Sequence, residues 1–227
     1  MEHHSFLSMQ RIETILFDLD GTLIDSIRLI LDSYHHTMAA HGFAPRSDAD
    51  WLRGLGTPLR QQFKEWIDEP DTLERMVATY RAYNLANHDQ MVRPYPGIAE
   101  LLGVIRRNGR RTGVVTSKSR EGTLRGLRRV GLEDAFEVLV CVDDVQSPKP
   151  DREPVDRAVA LLDADPARTM YVGDSIHDLY AGRGAGVLTA AALWGPFSRE
   201  DLEPGEPDHW LMQPEDVLTV AGLTAGQ

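Results

Sequence analysis

Two aspartates, Asp18 and Asp20, close the apolar run of "ILFDLDGTLIDS" at residues 15 to 26, and Gly21 and Thr22 follow at once. On its own, D-x-D-G after a strand is a turn signal. The same spacing also puts two carboxylates on one side of an extended backbone, where one can attack as a nucleophile while the other carries a proton. Other stretches end in groups that complement them: "VVTSK" in Thr116, Ser117 and Lys118, "SPKP" around Lys149, and "VGDSIHD" in Asp174 and, four residues on, Asp178. Acids, hydroxyls and a lysine are what in-line phosphoryl transfer needs. Asp18 would form an aspartyl phosphate that water later hydrolyses, and Asp20 would protonate the leaving oxygen and then deprotonate the water. The Thr116 hydroxyl and nearby backbone N–H groups would hold the phosphoryl oxygens. A carboxylate approaching a phosphate dianion is repelled, so a hard cation is expected, and Asp18 and Asp174 offer the oxygen ligands Mg²⁺ prefers. Lys149 adds a point charge, and Gly21 permits a tight turn after Asp20.

These residues need a frame that brings chain ends together. Short apolar runs at "TILFD" (14 to 18), "RTGVVTS" (111 to 117), "FEVLVCV" (136 to 142), "TMYVGD" (169 to 174) and "GVLTAAAL" (186 to 193) alternate with helical patterns, the signature of a parallel sheet covered on both faces. Ligands of such sheets collect beyond the carboxyl ends of the strands, which is where the candidate residues fall. The first two runs are separated by about ninety residues without a strand signal, too many for one crossover. Helical spacing of Ile27, Ile30, Leu31, Tyr34 and Met38, and again of Leu73, Met76, Val77, Tyr80 and Tyr83, marks an inserted helical unit. Shorter helical pieces broken at Gly54, Gly56 and Pro58 lie between, and "RPYPG" (93 to 97) stiffens the return. The expected fold is α/β: a three-layer Rossmann-like parallel-sheet core from residues 1–24 and 94–227, with an all-helical cap domain at 25–93. A last edge strand and a terminal helix are expected after Pro204.

Bulk properties narrow the classes. At 227 residues, 42% hydrophobic and 26% charged, the chain suits one large core with a smaller inserted domain. Its 24 basic and 35 acidic residues leave a net charge of -11, which disfavours nucleic acid. The arginine clusters "RRNGRR" (106 to 111) and "RGLRR" (125 to 129) lack interleaved aromatic residues and read as solvated helix faces. No apolar run reaches the roughly eighteen residues of a membrane helix, and "MEHHSFLSMQ" lacks the form of a secretory signal, so a cytoplasmic protein without a membrane partner is expected. His3 and His4 read as tail residues. Cys141 is the only cysteine, which excludes a disulfide framework within the chain and fits a buried small hydrophobe.

"FDLDGTL", "VVTSK", "SPKP" and "VGDSIHD", in that order, resemble the four motifs of the haloacid dehalogenase superfamily, over essentially the whole chain. The resemblance implies that Asp18 is the nucleophile, Asp20 the acid and base, Thr116 the phosphate-binding hydroxyl and Lys149 the neutralising lysine. It implies a Mg²⁺ site made by Asp18, the backbone carbonyl of Asp20, Asp174 and, from behind, Asp178. Gly21, Thr22, Ser117 and Lys118 join the expected substrate-binding set. The second acid at Asp20 disfavours carbon–halogen cleavage, which needs no proton donor there, and favours phosphoryl transfer.

The helical cap resembles those of phosphoglycolate phosphatases, β-phosphoglucomutases and bacterial inorganic pyrophosphatases. "YRAYNLANHD", "VTSKSR", "VDDVQSPKPDREPV" and the His of "GDSIHD" look most like the pyrophosphatase branch. A closing cap speaks for a small phosphorylated substrate or pyrophosphate and against polymers. In "RGLGTPLR" (53 to 60), Arg53, Thr57 and Arg60 either reach the leaving group or belong to a plain helix connection with exposed arginines. His177 either touches substrate or metal or fills space. A phosphoglycolate phosphatase or other small phosphate-ester phosphatase is the main alternative reading; a β-phosphoglucomutase-like mutase, a receiver-type phospho-aspartate signalling domain and a catalytically retired binding module are the others. A monomer or weak homodimer is expected.

Overall fold

Thr14–Phe17, β1, is buried at every position, as a strand with both faces covered must be. The computed structural model describes residues 11–224, so His3 and His4 lie outside the described residues. Beyond β1 the chain runs β2 (Ile24–Asp25), α1 (Ile27–Ala40), α2 (Asp48–Leu52), α3 (Leu59–Lys64), α4 (Pro70–Met91), β3 (Arg93–Pro94), α5 (Ile98–Arg107), β4 (Arg111–Val115), α6 (Arg120–Val130), β5 (Val138–Val140), α7 (Glu153–Leu161), β6 (Thr169–Gly173), α8 (Ile176–Gly184), β7 (Leu188–Ala192), α9 (Arg199–Leu202), β8 (His209–Leu211) and α10 (Asp216–Val220). Six strands form one parallel sheet in the order β5-β4-β1-β6-β7-β8. The chain leaves β1 toward β4 and β5, then crosses back to β6 on the other side. That reversal makes the carboxyl end of β1 the place where a ligand crevice opens.

Alternation along the strands sorts the core into two layers. Ile15, Phe17, Val114, Met170 and Val172 face one side, where they pack with Leu101 and Ile105 of α5, Leu127 of α6 and Val217 of α10. Leu16, Val115, Val140 and Tyr171 face the other, against Val155 and Ala158 of α7 and Ala181 of α8. The fold is a three-layer, Rossmann-like α/β arrangement. Cys141 is buried beside the Thr123 hydroxyl.

Between β1 and β4 the chain builds a helical unit with its own core. Ile30, Leu31, Tyr34 and Met38 of α1 meet Leu73, Met76, Val77 and Tyr80 of α4, with Trp51 and Phe63 from the short helices between them. The rings of Tyr34 and Trp51 stack with centroids 4.3 Å apart, and Phe63 meets Tyr34 edge-on at 5.4 Å. Tyr83, on the same helical repeat, is only half-buried and stacks on His36. The Glu69 carboxylate caps α4 by accepting from the N–H groups of Asp71 and Thr72, and Pro70 starts the helix where no N–H is needed. An antiparallel pair, β2 with β3, joins the two strands of chain that connect this cap to the sheet. Among the described residues no helix is long and apolar enough to cross a membrane.

Candidate active site

The strand register decides which side chains meet. Phe17 of β1 lies level with Val114 of β4 and Val172 of β6, so Asp18, Thr116 and Asp174 emerge together at the carboxyl edge of the sheet. Asp18, Asp174 and Asp178 are all buried there, with one carboxylate oxygen from each within 4.8 Å of the others. The side chain of Lys149 is buried between them, and its Nζ donates to Asp18 Oδ1 at 2.9 Å and to Asp178 Oδ1 at 2.5 Å. The Tyr171 hydroxyl completes this knot, 2.8 Å from both Asp178 Oδ1 and the Val115 carbonyl. Asp178 Oδ2 accepts from the backbone N–H and hydroxyl of Ser175, while the Ser175 hydroxyl accepts from the Asp178 N–H. One reciprocal cap therefore starts α8 and aims Asp178 at Lys149.

The charges in this knot are unequal. Burial raises Asp18; Lys149 offsets part of the effect while Asp178 adds to it, and the carboxyl ends at about 7. Asp174 is raised well above the usual carboxylate range, first by burial and then by Asp18 and Asp178. Burial also works against Asp178, but Lys149 and the hydrogen bonds from Lys149, Ser175 and Tyr171 outweigh it and hold this acid below the usual range. Burial likewise opposes the Lys149 charge, and the two aspartates overcome it and keep the ammonium ion firmly charged.

The donor set fits a hard cation. Asp174 Oδ2 is buried and has no hydrogen-bond partner among the described residues, although Thr22 Oγ1 donates to the other oxygen at 2.7 Å. Gly21, at φ +89°, lies so close that a Cβ there would sit 2.3 Å from Asp174 Oδ2. Three clustered carboxylates, one orphaned oxygen and a backbone that must stay close match the oxygen coordination of Mg²⁺. Asp18 and Asp174 are the side chains that would face the ion; Asp178, spent on Lys149 and Ser175, would stand behind them.

A cavity of about 620 Å³ lies between sheet and cap, with Asp18, Asp20, Thr116, Ser117, Lys118 and Lys149 on its floor. Asp20 accepts from Ser26 Oγ at 2.5 Å and from Lys118 Nζ at 2.8 and 3.0 Å. The Thr116 hydroxyl accepts from the Lys118 N–H. From the cap, Thr57 and Arg60 border the cavity. The Ser117 hydroxyl donates to the Gly56 carbonyl at 2.5 Å, which ties the cap loop to the sheet end.

Four expected binding residues are placed otherwise. Arg53 does not border the cavity: it is exposed and paired with Asp50, because the turn after α2 points it outward. His177 does not border the cavity either; it packs beneath Gly56, with both ring nitrogens buried and unpartnered among the described residues. Thr22 is fully buried, and its hydroxyl is spent on Asp174. Gly21 serves as the close backbone beside Asp174. Arg60 is at the cavity but held by Glu74, and the Thr57 hydroxyl donates to the Gly54 carbonyl. The second arginine cluster is more than a solvated face: Arg125 grips the Asp89 carboxylate, and Arg129 donates to the Asp89 carbonyl on the cap helix. The Tyr171 hydroxyl was not legible beforehand; a polar-tipped ring in the midst of an apolar strand was its only signal.

Residues 15–192 match the family described as haloacid dehalogenase-like hydrolase. Pyrophosphatase PpaX of Halalkalibacterium halodurans is 38% identical over 94% of this chain and 99% of its own length. Pyrophosphatase PpaX of Anoxybacillus flavithermus is 40% identical over the same shares. Among solved structures, a haloacid dehalogenase-like family hydrolase from Streptococcus pneumoniae superposes with a TM-score of 0.78 at 26% identity, covering 92% of this chain and 97% of that one. A predicted phosphoglycolate phosphatase from Haemophilus somnus shares the fold, with a TM-score of 0.83 at 22% identity, covering 92% of this chain and 97% of that one. With its strand order, helical cap and ordered motifs all in place, this chain belongs to the haloacid dehalogenase-like hydrolases and is an enzyme of that family.

Proposed function

We propose that this enzyme is a Mg²⁺-dependent phosphohydrolase that cleaves inorganic pyrophosphate through an aspartyl phosphate on Asp18. The observation that carries the chemistry is the pairing of two carboxylates on the floor of one cavity, Asp18 fixed by buried Lys149 and Asp20 held by Ser26 and Lys118. The substrate reading rests on the pyrophosphatase PpaX relatives, which align with 94% of the chain.

An oxygen of the Asp18 carboxylate attacks phosphorus as the bond to the leaving oxygen breaks, and Asp20 gives that oxygen its proton. Asp20 then takes a proton from water as the water oxygen attacks the aspartyl phosphate, and phosphate leaves with Asp18 restored. Thr116 and Lys149 hold the oxygens of the transferring group, where negative charge is spread in the transition state. Mg²⁺, held by Asp18, the Asp20 carbonyl and Asp174 with Asp178 behind, would supply charge neutralisation between carboxylate and phosphate. The cap loop is tied to the sheet end through Ser117 and Gly56, beside the place where the acyl phosphate would form. Such an enzyme works in the cytoplasm, on small anions, as a monomer or weak homodimer.

The test is phosphate release from pyrophosphate and from phosphoglycolate, with Mg²⁺ and with chelator, using Asp18→Asn as the blank. Pyrophosphate is expected to lead by about a hundredfold in kcat/KM, a difference of about 2.7 kcal/mol. A lead for phosphoglycolate would move the enzyme to the phosphate-ester branch. Turnover retained in Asp18→Asn would remove the nucleophile assignment.

A further inference from the structure

Five lysine and arginine side chains border the cavity, and four of them are committed to a carboxylate. Lys149 is shared by Asp18 and Asp178, Lys118 holds Asp20, Arg60 holds Glu74 and Arg125 holds Asp89. Arg81 is the exception: among the described residues its guanidinium has neither an ion pair nor a hydrogen bond, although the protein carries 35 acidic residues.

Its position is set by helix periodicity. Arg81, Asn84, Leu85 and His88 fall at i, i+3, i+4 and i+7 of α4, one face of the helix, and all four border the cavity. Neighbouring Tyr80 borders it too, and the charge of Asp20 adds to the burial that raises its phenol, so this stretch of the cap lies over the expected acid and base. The guanidinium offers a planar fork of donors that suits a phosphate or carboxylate in a two-point contact.

We propose that Arg81 is a specificity-determining residue that binds the anionic leaving portion of the substrate, so that the site selects phosphates whose leaving group itself carries a phosphate or carboxylate. The inference rests on the phosphohydrolase reading above but not on the choice of pyrophosphate. Lys149 serves the transferring group, and Lys118, Arg60 and Arg125 are paired with carboxylates, whereas exposed Arg81 has no such partner among the described residues and its charge is available for what enters. Contact with the part of the substrate that does not react supplies binding energy that can orient the scissile bond.

The test measures kcat/KM for pyrophosphate, phosphoglycolate and phenyl phosphate, whose leaving group becomes neutral once protonated, in wild type, Arg81→Gln, Arg81→Lys and Glu121→Gln. In Arg81→Gln the ratio of either anionic-leaving substrate to phenyl phosphate is expected to fall about tenfold or more, the scale of one charge-assisted contact. Arg81→Lys should recover part of that ratio. Glu121, which borders the cavity from α6 and also lacks an ion pair among the described residues, is the control for a strut across the cleft. An equal loss on all three substrates, or the same fall in Glu121→Gln, would overturn the proposal and make Arg81 structural. Wild-type preference for phenyl phosphate over both anions would also overturn it, leaving the phosphohydrolase reading intact. Cleavage of phosphoglycolate but not pyrophosphate, with the ratio still lost in Arg81→Gln, would sustain the proposal while the pyrophosphate reading fell.

Discussion

Thr22 Oγ1 donates to Asp174 Oδ1 at 2.7 Å across 152 positions of chain, while Asp174 Oδ2, equally buried, has no hydrogen-bond partner among the described residues. A half-satisfied carboxyl group in the interior is costly, and the proposed cation would meet this second oxygen.

Asp174→Asn should therefore stabilise the metal-free enzyme while disabling it. The Thr22 hydroxyl can still donate to the amide oxygen, and a carboxyl whose ionisation burial, Asp18 and Asp178 all oppose is replaced by a neutral group. In chelator the midpoint of thermal unfolding should rise by about 2–4 °C for each kcal/mol gained, while Mg²⁺-dependent turnover falls more than about a hundredfold. A drop in the midpoint would mean that Asp174 is structural.

The pH dependence has a definite sign. Asp18, raised to about 7, and Asp174, also raised, bind protons more tightly in the native state than in the unfolded chain, where a carboxyl titrates near 3.9. Both contributions are complete below about pH 4; that of Asp18 is lost as pH rises through about 7, and that of Asp174 as pH rises through its own raised value. Asp178, held low, has the opposite sign: its contribution is fully present throughout this window and is lost only as pH falls below the ordinary carboxylate range. In chelator, urea unfolding should show the wild type losing stability relative to Asp174→Asn between pH 5 and pH 8. Mg²⁺ binding should tighten over the same interval and release protons, which calorimetry in two buffers of different ionisation enthalpy would detect.

Lys149→Met should unfold far more easily than wild type. Removing the ammonium leaves Asp18 and Asp178 buried without a counter-charge, a loss of about 3–5 kcal/mol at neutral pH by chemical denaturation. Much of that loss should vanish near pH 4, where the carboxyls can take protons. A variant as stable as wild type at pH 7.5 would contradict the ion-pair account.

The cap loop should be sensitive at a single glycine. Gly56 has φ +93°, and a Cβ there would lie 2.6 Å from Ser175 Oγ. Gly56→Ala is expected to push the loop off the sheet end and lower kcat/KM by about tenfold or more. Ser117→Ala, which removes the hydrogen bond to Gly56 without straining the loop backbone, should cost about three- to tenfold. Steady-state kinetics on pyrophosphate and phosphoglycolate would separate the two, with thermal unfolding as the check on folding.

Much of the architecture was legible in residue order. Apolar runs ending in polar groups marked the strands because a doubly covered parallel strand must be apolar along its length, and their carboxyl ends supplied Asp18, Thr116 and Asp174. The helical repeats of α1 and α4 were visible because each buries one stripe in the cap. The terminal strand and helix emerged at β8 and α10, close behind the Gly- and Pro-rich tail that announced them.

Sequence by itself determined the kinds of groups available, their order, and that a helical unit is inserted between the first two strands, since these follow from periodicity and motif spacing; that the unit caps the sheet end was implied only by the family resemblance. Tertiary structure alone decided the partnerships: Thr22 with Asp174, Tyr171 with Asp178 and Lys149, Arg125 with Asp89, Arg53 turned away and Arg81 unpaired among the described residues. Spacing along a chain fixes which face of its own element a side chain occupies. Only the packing of elements distant in sequence fixes what that face meets, and hence which charges are neutralised and which remain available to a substrate.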